Sequence, residues 1–268
     1  MLVVLSPAKS LDFSAPPQTV PGTAPELPKE TAQLARITRT LSQADLVRLM
    51  GISDTLAALN VERFQAFAAR PAEEAGVQAA LAFAGDVYEG LKARTLDADG
   101  LAFAQDHLRI LSGLYGLLRP LDRIQPYRLE MGTRLANPRG ANLYDFWGDR
   151  IARRLSEALR EHPDPTLVNL ASIEYFGAVD VKALKRPVVS CAFRQERDGE
   201  LRNLSLFAKT GRGLMARYAI DNRIEQAAAL KGFDRAGYRF RSDLSTETEW
   251  VFSRRQPDLG TPMAISEA

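Results

Sequence analysis

Four arginines lie in one short stretch of the chain, Arg109 to Gly132, which contains no lysine. The residues between them are mostly large apolar side chains, glycines and prolines, so the guanidinium groups are expected at or beside buried surface. A buried guanidinium group needs hydrogen-bonding partners. Internal carboxylates such as Asp122 and Glu130 could supply them, and so could an anionic ligand such as phosphate. The four residues are Arg109, Arg119, Arg123 and Arg128.

Lys9 is a further candidate ligand for an anion. It follows the apolar run Leu2 to Leu5, which predicts a short buried strand. A lysine just beyond the carboxyl end of a first strand is well placed to act as a point charge for a bound anion. Pairing with the nearby Asp12 is the alternative, and the sequence leaves both open.

A second group of cations surrounds two glycines close to residue 210. Lys209, Arg212 and Arg217 flank Gly211 and Gly213, a composition that resembles a phosphate-binding loop. The G-x-x-x-x-G-K-[ST] order of nucleotide-hydrolysing loops is absent, so hydrolysis by that mechanism is not expected. We expect a glycine-rich turn at the start of a helix, which would form an anion site. Arg217 could equally be a surface charge of that helix.

Residues 42–67 predict two short helices joined by a hairpin. Ser42 is a suitable N-cap for a helix over Gln43 to Met50, and a second helix begins after the hairpin with Ser53 or Asp54 as its cap. The connection Gly51-Ile52-Ser53 resembles a helix-hairpin-helix element, whose amides and second helix N-terminus grip a DNA phosphate. An ordinary helix pair is the alternative, because such elements usually carry glycine on both sides of the apolar residue. The expected buried side of the second helix consists of Leu56, Leu59, Phe64 and Phe67.

Two carboxylates could do acid–base chemistry if the protein were an enzyme. Glu130 lies near the end of the arginine-rich stretch, and Glu174 follows a predicted buried strand, Thr166 to Ala171. Open α/β sheets place their sites at the carboxyl ends of such strands. Together with Lys9 and Arg128, the two carboxylates could bind a nucleotide or nucleic acid and transfer protons. Their alternative role is to neutralise half-buried arginines.

The composition argues against transition-metal and disulfide chemistry and leaves magnesium bound by oxygen ligands open. The chain of 268 residues has one cysteine, Cys191, and two histidines, His107 and His162, which lie in unrelated sequence contexts. Neither a zinc site nor a Ser-His-Asp triad is supported, and a ferritin-like iron site would lack its ligands. We therefore expect no bound cofactor. The net charge of +2 does not by itself indicate a nucleic-acid-binding protein.

The hydrophobic content predicts one large domain or two closely packed ones, and no internal repeat or long linker divides the chain. The clearest amphipathic helix runs from Asn142 to Arg160. Asp198-Gly199 predicts the turn of a hairpin between the strands Pro187 to Arg194 and Leu201 to Phe207. Two last strands are expected between Tyr238 and Arg255, followed by a frayed tail beyond residue 256.

The sequence predicts no membrane partner. No stretch approaches the roughly 20 continuous apolar residues that a bilayer span requires. The first five residues are too short for a signal peptide and lack its basic start. We expect a cytoplasmic protein and, as its oligomeric state, a monomer.

Several uncommon sequence blocks occur in the same order as in one known family. In this chain they read SPAKSLDF, LMGISDTLAALNVERF, FAGDVYEGL, LRILSGLYGLLRPLDRIQPYRLEMG, NLYDFWGD, VNLASIEYF and AKTGRGLMARY. By these blocks the chain resembles the bacterial peroxide-stress protein YaaA family along nearly its whole length. The resemblance implies an oxidative-stress protein that forms one compact domain over residues 1–268, with a mixed α/β (α+β) fold and a mixed central sheet. It also implies a helix-hairpin-helix element and a basic cleft for double-stranded or distorted DNA. The family is associated with limiting damage by peroxide and intracellular iron.

Two hypotheses remain open. The resemblance implies a sequence-independent, structure-selective DNA-binding protein of the peroxide response. The alternative is an enzyme on a nucleotide or nucleic acid, in which Lys9, Glu130 and Glu174 would act. Within the arginine-rich stretch, Arg109 could instead belong to ion pairs of the core. Carried onto this chain, the DNA contacts of the family fall on Lys9, Gly51, Ile52, Ser53, Arg119, Arg123, Arg128, Lys209, Arg212 and Arg217.

Overall fold

The computed structural model describes residues 1–14, 20–68 and 76–256, so the predicted frayed tail lies outside the described residues. The strands, in chain order, are β1 (Leu2–Leu5), β2 (Ser10–Leu11), β3 (Val77–Gln78), β4 (Phe83–Ala84), β5 (Leu108–Ser112), β6 (Gly116–Leu118), β7 (Arg123–Ile124), β8 (Leu167–Leu170), β9 (Val188–Arg197), β10 (Glu200–Arg202), β11 (Arg239–Phe240) and β12 (Glu249–Arg255). The α-helices are α1 (Pro28–Arg39), α2 (Gln43–Met50), α3 (Asp54–Ala66), α4 (Ala79–Ala82), α5 (Asp86–Leu91), α6 (Ala98–His107), α7 (Leu143–Trp147), α8 (Arg150–Ala158), α9 (Ile173–Phe176), α10 (Val181–Leu184) and α11 (Ser205–Asp221).

A mixed sheet with the strand order β11-β12-β9-β8-β1-β5-β6 forms the centre of the described structure, and β10 pairs with β9. The strands β5, β1, β8, β9 and β12 run parallel to one another, whereas β6, β10 and β11 are antiparallel to their neighbours. From β1 the chain adds β5 on one side and later β8 on the other. The strand order therefore reverses at the carboxyl ends of β1 and β8, where open α/β sheets bind their ligands.

The apolar sequence of the central strand β1 matches a sheet that is covered on both faces. Its four residues, Leu2 to Leu5, are all buried, with backbone hydrogen bonds to β5 and β8 on its two sides. A continuous apolar run is typical of a parallel strand covered by helices on both faces. On the same reasoning β8, which follows the predicted bounds within a residue, forms the next buried strand. The predicted mixed α/β architecture with a central mixed sheet is confirmed.

The helix predictions at the start of the chain are confirmed together with their caps. Ser42 caps α2 through a capping box with Asp45, and Ser53 caps α3 by accepting a hydrogen bond from the amide of Leu56. These caps satisfy amides that a helix N-terminus leaves without intrahelical partners. None of the helices in the described part of the chain is long and apolar enough to cross a bilayer.

Two predicted elements have different bounds in the structure. The amphipathic run from Asn142 to Arg160 is divided into α7 and α8, because Gly148 adopts a left-handed φ of 50° that interrupts the helix. The hairpin turn at Asp198-Gly199 is confirmed, but its second strand ends at Arg202, and the following residues begin α11 at Ser205. Apolar residues at the predicted strand's end are therefore helical.

The glycine-rich turn predicted near residue 210 is wrong. Gly211 and Gly213 lie inside α11, where they allow close packing rather than a loop. A Cβ atom at Gly213 would overlap the carbonyl oxygen of Val87 in α5, and one at Gly211 would lie 2.7 Å from the ring of Phe193. The two glycines reduce helix propensity. Their consequence is that α11 lies directly against α5 and β9.

The two histidines, predicted to be unrelated, are in contact. The rings of His107 and His162 meet edge to face with centroids 4.6 Å apart, and His107 also stacks on Phe103. Burial is the main cause that lowers the pKa of both imidazoles, that of His162 to about 4. The two histidines are far apart in the sequence, so the sequence does not predict their contact. It depends on how α6 packs beside the segment that precedes β8.

We predict that this histidine pair makes the protein less stable in acid. An unfolded histidine titrates near pH 6.5, whereas His162 in the folded chain stays neutral until about pH 4. Stability is therefore complete above pH 6.5 and falls as the pH drops toward 4, because the unfolded chain binds the proton first. Denaturant midpoints between pH 7 and pH 4.5 should decline less in His162→Asn than in the unchanged protein. Equal declines would contradict the prediction.

Candidate functional site

Two serines meet at the point where the strand order reverses. Ser6 follows β1 and Ser172 follows β8. The amide of Ser172 donates a hydrogen bond to Ser6 Oγ at 2.8 Å, and the two hydroxyl oxygens are 3.3 Å apart. Tyr88 of α5 donates its phenolic hydrogen to the carbonyl of Ser6 at 3.0 Å. These contacts fix the two loops that carry the charged residues of the site.

The predicted residues Lys9, Arg128 and Glu130 converge beside these serines. Lys9 Nζ lies 2.8 Å from Glu130 Oε2, and Arg128 Nη2 lies 3.0 Å from Glu130 Oε1. The carboxylate is thus bound by a different cation on each oxygen, and 64% of the Lys9 side chain is exposed. The alternative partner of Lys9, Asp12, pairs with Arg94 instead. The cluster carries one net positive charge that faces solvent through Lys9.

Glu174 lies next to this cluster but has a separate task. Its Oε1 accepts a hydrogen bond from the amide of Gly132 at 2.9 Å, and its backbone carbonyl accepts one from Tyr144. These bonds tie the turn after the arginine-rich stretch to the start of α9. The pocket between Lys9, Glu130 and Tyr175 has a volume of about 10 Å³, about that of one water-sized probe. The arrangement holds the loops in place and leaves little room for a substrate at the carboxylates.

Buried tyrosines support the cluster, and the sequence reasoning missed them. Tyr127 shares a 2.6 Å hydrogen bond with Ser112 at the carboxyl end of β5. Burial raises the pKa of Tyr127, Tyr175 and Tyr88 well above the ordinary value, so the three phenols stay neutral at physiological pH. Their position near the ends of predicted strands is the signal that could have identified them.

Lys209 adds a further exposed cation near Lys9. It pairs with Asp86 at 3.4 Å, and half of its side chain is exposed. Asp86 begins α5 directly after Gly85, whose Cβ position would lie 3.7 Å from that of Ala8. Lys9 and Lys209 therefore belong to neighbouring segments at the same edge of the sheet.

Arg212 lies one helical turn beyond Lys209 and lines a cavity of about 620 Å³. The cavity extends over the carboxyl-terminal part of β8 and the middle of β9, with α11 on one side. Burial lowers the pKa of Arg212. Its Nε atom is buried and has no hydrogen-bond partner among the described residues. A guanidinium group in this state is poorly solvated and suited to an anion.

Other cations predicted to line a cleft lie elsewhere. Arg119 follows β6, whose Leu118 pairs with Ile110, so it lies toward the amino-terminal edge of the parallel strands, away from Lys9. Its guanidinium group binds Asp122 and the carbonyl of Ala24. The β5–β6 hairpin determines this register, which places Arg119 away from Lys9. It disagrees with the expectation that the two residues share one site.

Arg123 and Arg217 also have internal contacts. Arg123 donates to the carbonyl of Gly76 at 3.3 Å and packs against Gly22. Arg217 pairs with Asp221 and donates to Thr95 Oγ1 at 2.6 Å, which joins α11 to the turn after α5. Arg109 is buried and donates to backbone carbonyls of α6 instead of forming the expected ion pair.

The connection between α2 and α3 has the predicted local structure. Gly51 ends α2 with a left-handed φ of 60°, and Ile52 is buried between the helices. The predicted apolar side of α3 is wrong in part, because Leu56 and Leu59 are each 38% exposed while Phe64 is buried. Gly51 and Ser53 are exposed, and the amide of Gly51 donates to the carbonyl of Val47. The use of this connection as a DNA-binding helix-hairpin-helix element stays a prediction.

Cys191 is not suited to sense peroxide directly. Burial raises the pKa of its thiol from 9.0 to about 12, so the thiolate fraction at neutral pH is about 1,000-fold lower than that of an exposed thiol. We predict that iodoacetamide at pH 7.5 labels Cys191 far more slowly in the folded protein than in denaturant. Similar rates in the two states would contradict this assignment. In the described ranges no three His, Cys, Asp or Glu side chains are grouped for a metal ion.

Comparison with known proteins finds one family along most of the chain. The family model described as "Peroxide stress protein YaaA" matches residues 1–244. A UPF0246 protein of Caulobacter vibrioides is 65% identical over 257 residues, which cover 96% of this chain and 100% of that protein. A UPF0246 protein of Phenylobacterium zucineum is 63% identical over 257 residues, and one of Dinoroseobacter shibae is 54% identical over 259 residues; each match covers 96% of both chains.

Proposed function

Because the chain belongs to the peroxide stress protein YaaA family, we propose that it is a DNA-binding protein of the peroxide response. It acts in the cytoplasm as a monomer and binds double-stranded or distorted DNA without reading its sequence. It limits peroxide- and iron-dependent damage by covering DNA, and it does not store iron itself.

The observation that carries this proposal is the pair of exposed lysines at the strand reversal. Lys9 and Lys209 lie on neighbouring segments, and 64% and 50% of their side chains are exposed although each pairs with a carboxylate. Exposed ion pairs of this kind are weak and exchange readily for a phosphate. Arg128 binds the other carboxylate oxygen of Glu130, and Lys9 is the more exposed of the two cations. Lysines that contact phosphates favour binding that does not depend on sequence.

The hairpin between α2 and α3 supplies a second phosphate contact in this proposal. The amino-terminal turn of α3 begins at the exposed Ser53 and Asp54 and carries the positive end of the helix dipole. Gly51 allows the close approach of a backbone, and the buried Ile52 fixes the hairpin on the domain. Arg119, Arg123 and Arg217, whose donors already have internal acceptors, contribute long-range positive charge rather than direct contacts.

The enzyme alternative receives less support from the same contacts. Cations bind both oxygens of Glu130, and a backbone amide binds Oε1 of Glu174, so these contacts hold the loops together. A general base must reach the proton that it removes. The water-sized pocket beside Glu130 gives no such access.

The proposal is tested by titrating labelled duplexes of equal length and different sequence, with a forked duplex in parallel. We expect affinities within about 3-fold across the duplex sequences, because phosphate contacts carry no base information. A strong preference for one sequence, or no binding to any DNA at 50 mM salt, would refute sequence-independent DNA binding.

A further inference from the structure

The cavity beside α11 contains a charge without an internal counterpart. Arg212 has no hydrogen bond or ion pair within the parts of the chain that the structure describes, and its Nε is shielded from solvent. Burial disfavours its charged form, and no nearby carboxylate offsets this. A buried guanidinium group that lacks acceptors destabilises the protein. A bound anion would supply the missing acceptors, and phosphate matches the planar fork of arginine.

The cavity is much larger than a phosphate group. Its volume of about 620 Å³ falls within the usual range for small-molecule sites. Phe176 and Leu201 form apolar parts of its wall, while Ser190 and Asn203 contribute polar groups. The Ser190 hydroxyl accepts from Asn169, so its own hydrogen can be donated to a ligand. Arg194 and Glu249 also line the cavity and pair with each other at 3.6 Å, so Arg212 is the charge left for a ligand. Together with the apolar surface and the polar groups, it suits a ligand that joins a phosphate to a heterocyclic base.

We propose that this cavity binds one nucleotide, with its phosphate on Arg212 and its base against the apolar wall. The nucleotide is either free or part of a DNA strand from which its base has been extruded. Both sources present the same base, sugar and phosphate to the cavity. Extrusion rests on the proposed DNA binding, whereas uptake of a free nucleotide does not.

The position of Ile173 favours a DNA strand as the source of the nucleotide. Ile173 lines the cavity as the first residue of α9, between Ser172 and Glu174, and 94% of its surface is exposed. Proteins that extrude or kink DNA insert apolar side chains between base steps. The side chain of Ile173 can fill the gap that an extruded base leaves, while Lys9 contacts the backbone beside it.

Two assays distinguish the sources. Calorimetric titration with 5′-deoxynucleoside monophosphates tests the binding of a free nucleotide. Inorganic phosphate and deoxyadenosine are titrated separately to test its phosphate and its nucleoside part. A duplex that contains 2-aminopurine tests extrusion, because the fluorescence of this base rises when it leaves the stack. We expect at least one assay to respond, with monophosphates binding about 10-fold or more tightly than either half alone.

Three variants test the residues. Arg212→Gln should weaken the response by about 10- to 100-fold, the value of a charged hydrogen-bonded contact. Leu201→Trp should block it by filling the cavity while Arg212 is retained, which covers the case that Arg212→Gln fails to fold. Ile173→Ala should reduce 2-aminopurine fluorescence by more than it weakens monophosphate binding, because the proposed insertion between base steps acts only on a stacked duplex.

The proposal is overturned if neither assay responds at millimolar ligand, or if Arg212→Gln and Leu201→Trp, both folded, respond like the unchanged protein. Duplex affinity is measured in the same samples. If neither nucleotide assay gives a signal but the duplex still binds, only the proposed nucleotide site is refuted. If monophosphates bind but the duplex does not, the proposed DNA-binding function is refuted instead.

Discussion

Replacing Lys9 and Lys209 together by alanine is expected to weaken duplex binding by about 10- to 100-fold at 0.1 M salt. Each lysine that contacts a phosphate releases about one counterion, which is worth slightly less than a factor of ten at this salt concentration. The two residues are exposed and lie on separate segments, so their removal should not disturb the core. Fluorescence anisotropy with a labelled duplex measures the change.

A matched control for this double variant is Lys182→Ala. Lys182 is exposed on α10, which leads into the amino-terminal end of β9 and thus to the opposite edge of the sheet. We expect its duplex affinity to stay within about 2-fold of the unchanged protein, since surface charges away from the DNA act only through screened fields. Equal losses in the control and the double variant would show a general charge effect and contradict the assigned site.

The variant Asp122→Asn is expected to destabilise the fold by about 2 kcal/mol, because the amide nitrogen replaces a buried oxygen that accepts hydrogen bonds and then faces another donor. The Asp122 carboxylate is fully buried. It accepts from the backbone amide of Arg119 at 2.8 Å, from the guanidinium group of Arg119 and from Thr23 Oγ1 at 2.6 Å. Chemical denaturation followed by circular dichroism gives the midpoint shift.

The control for Asp122→Asn is an exposed ion pair of the same type. Arg153 and Asp149 pair at 2.6 Å on the surface of α8, with 70% of the arginine side chain exposed. Arg153→Ala should change stability by no more than about 0.5 kcal/mol. If Asp122→Asn were equally mild, Arg119 would not depend on its internal partner and would again be a candidate for direct DNA contact.

The sequence predicts local structure in this protein better than it predicts which side chains meet. The cap residues Ser42 and Ser53 and the buried strand from Leu2 to Leu5 depend on neighbours within a few positions, and each is confirmed. Local signals of this kind, capping bonds and hydrophobic runs, are written directly in the order of residues.

The partners of the charged residues depend on the fold as a whole. Lys9 and Glu130 are 121 positions apart, and their contact follows from the strand order at β1 and β8. The register of the β5–β6 hairpin sends Arg119 to the other edge of the sheet, although only nine positions separate it from Arg128. Gly211 and Gly213 resemble a loop until α5 and β9 pack against them. Nothing in the local sequence distinguishes these outcomes.

The central claim is that Lys9 and Lys209 bind DNA phosphates, and the salt dependence of duplex affinity tests it most directly. The logarithm of the association constant is plotted against the logarithm of salt concentration for the unchanged protein and for the Lys9→Ala, Lys209→Ala double variant. We predict a steep linear fall for the unchanged protein and a slope smaller by about 2 in the variant, one unit for each lost phosphate contact. Identical slopes, or affinity that does not change with salt, would contradict the claim.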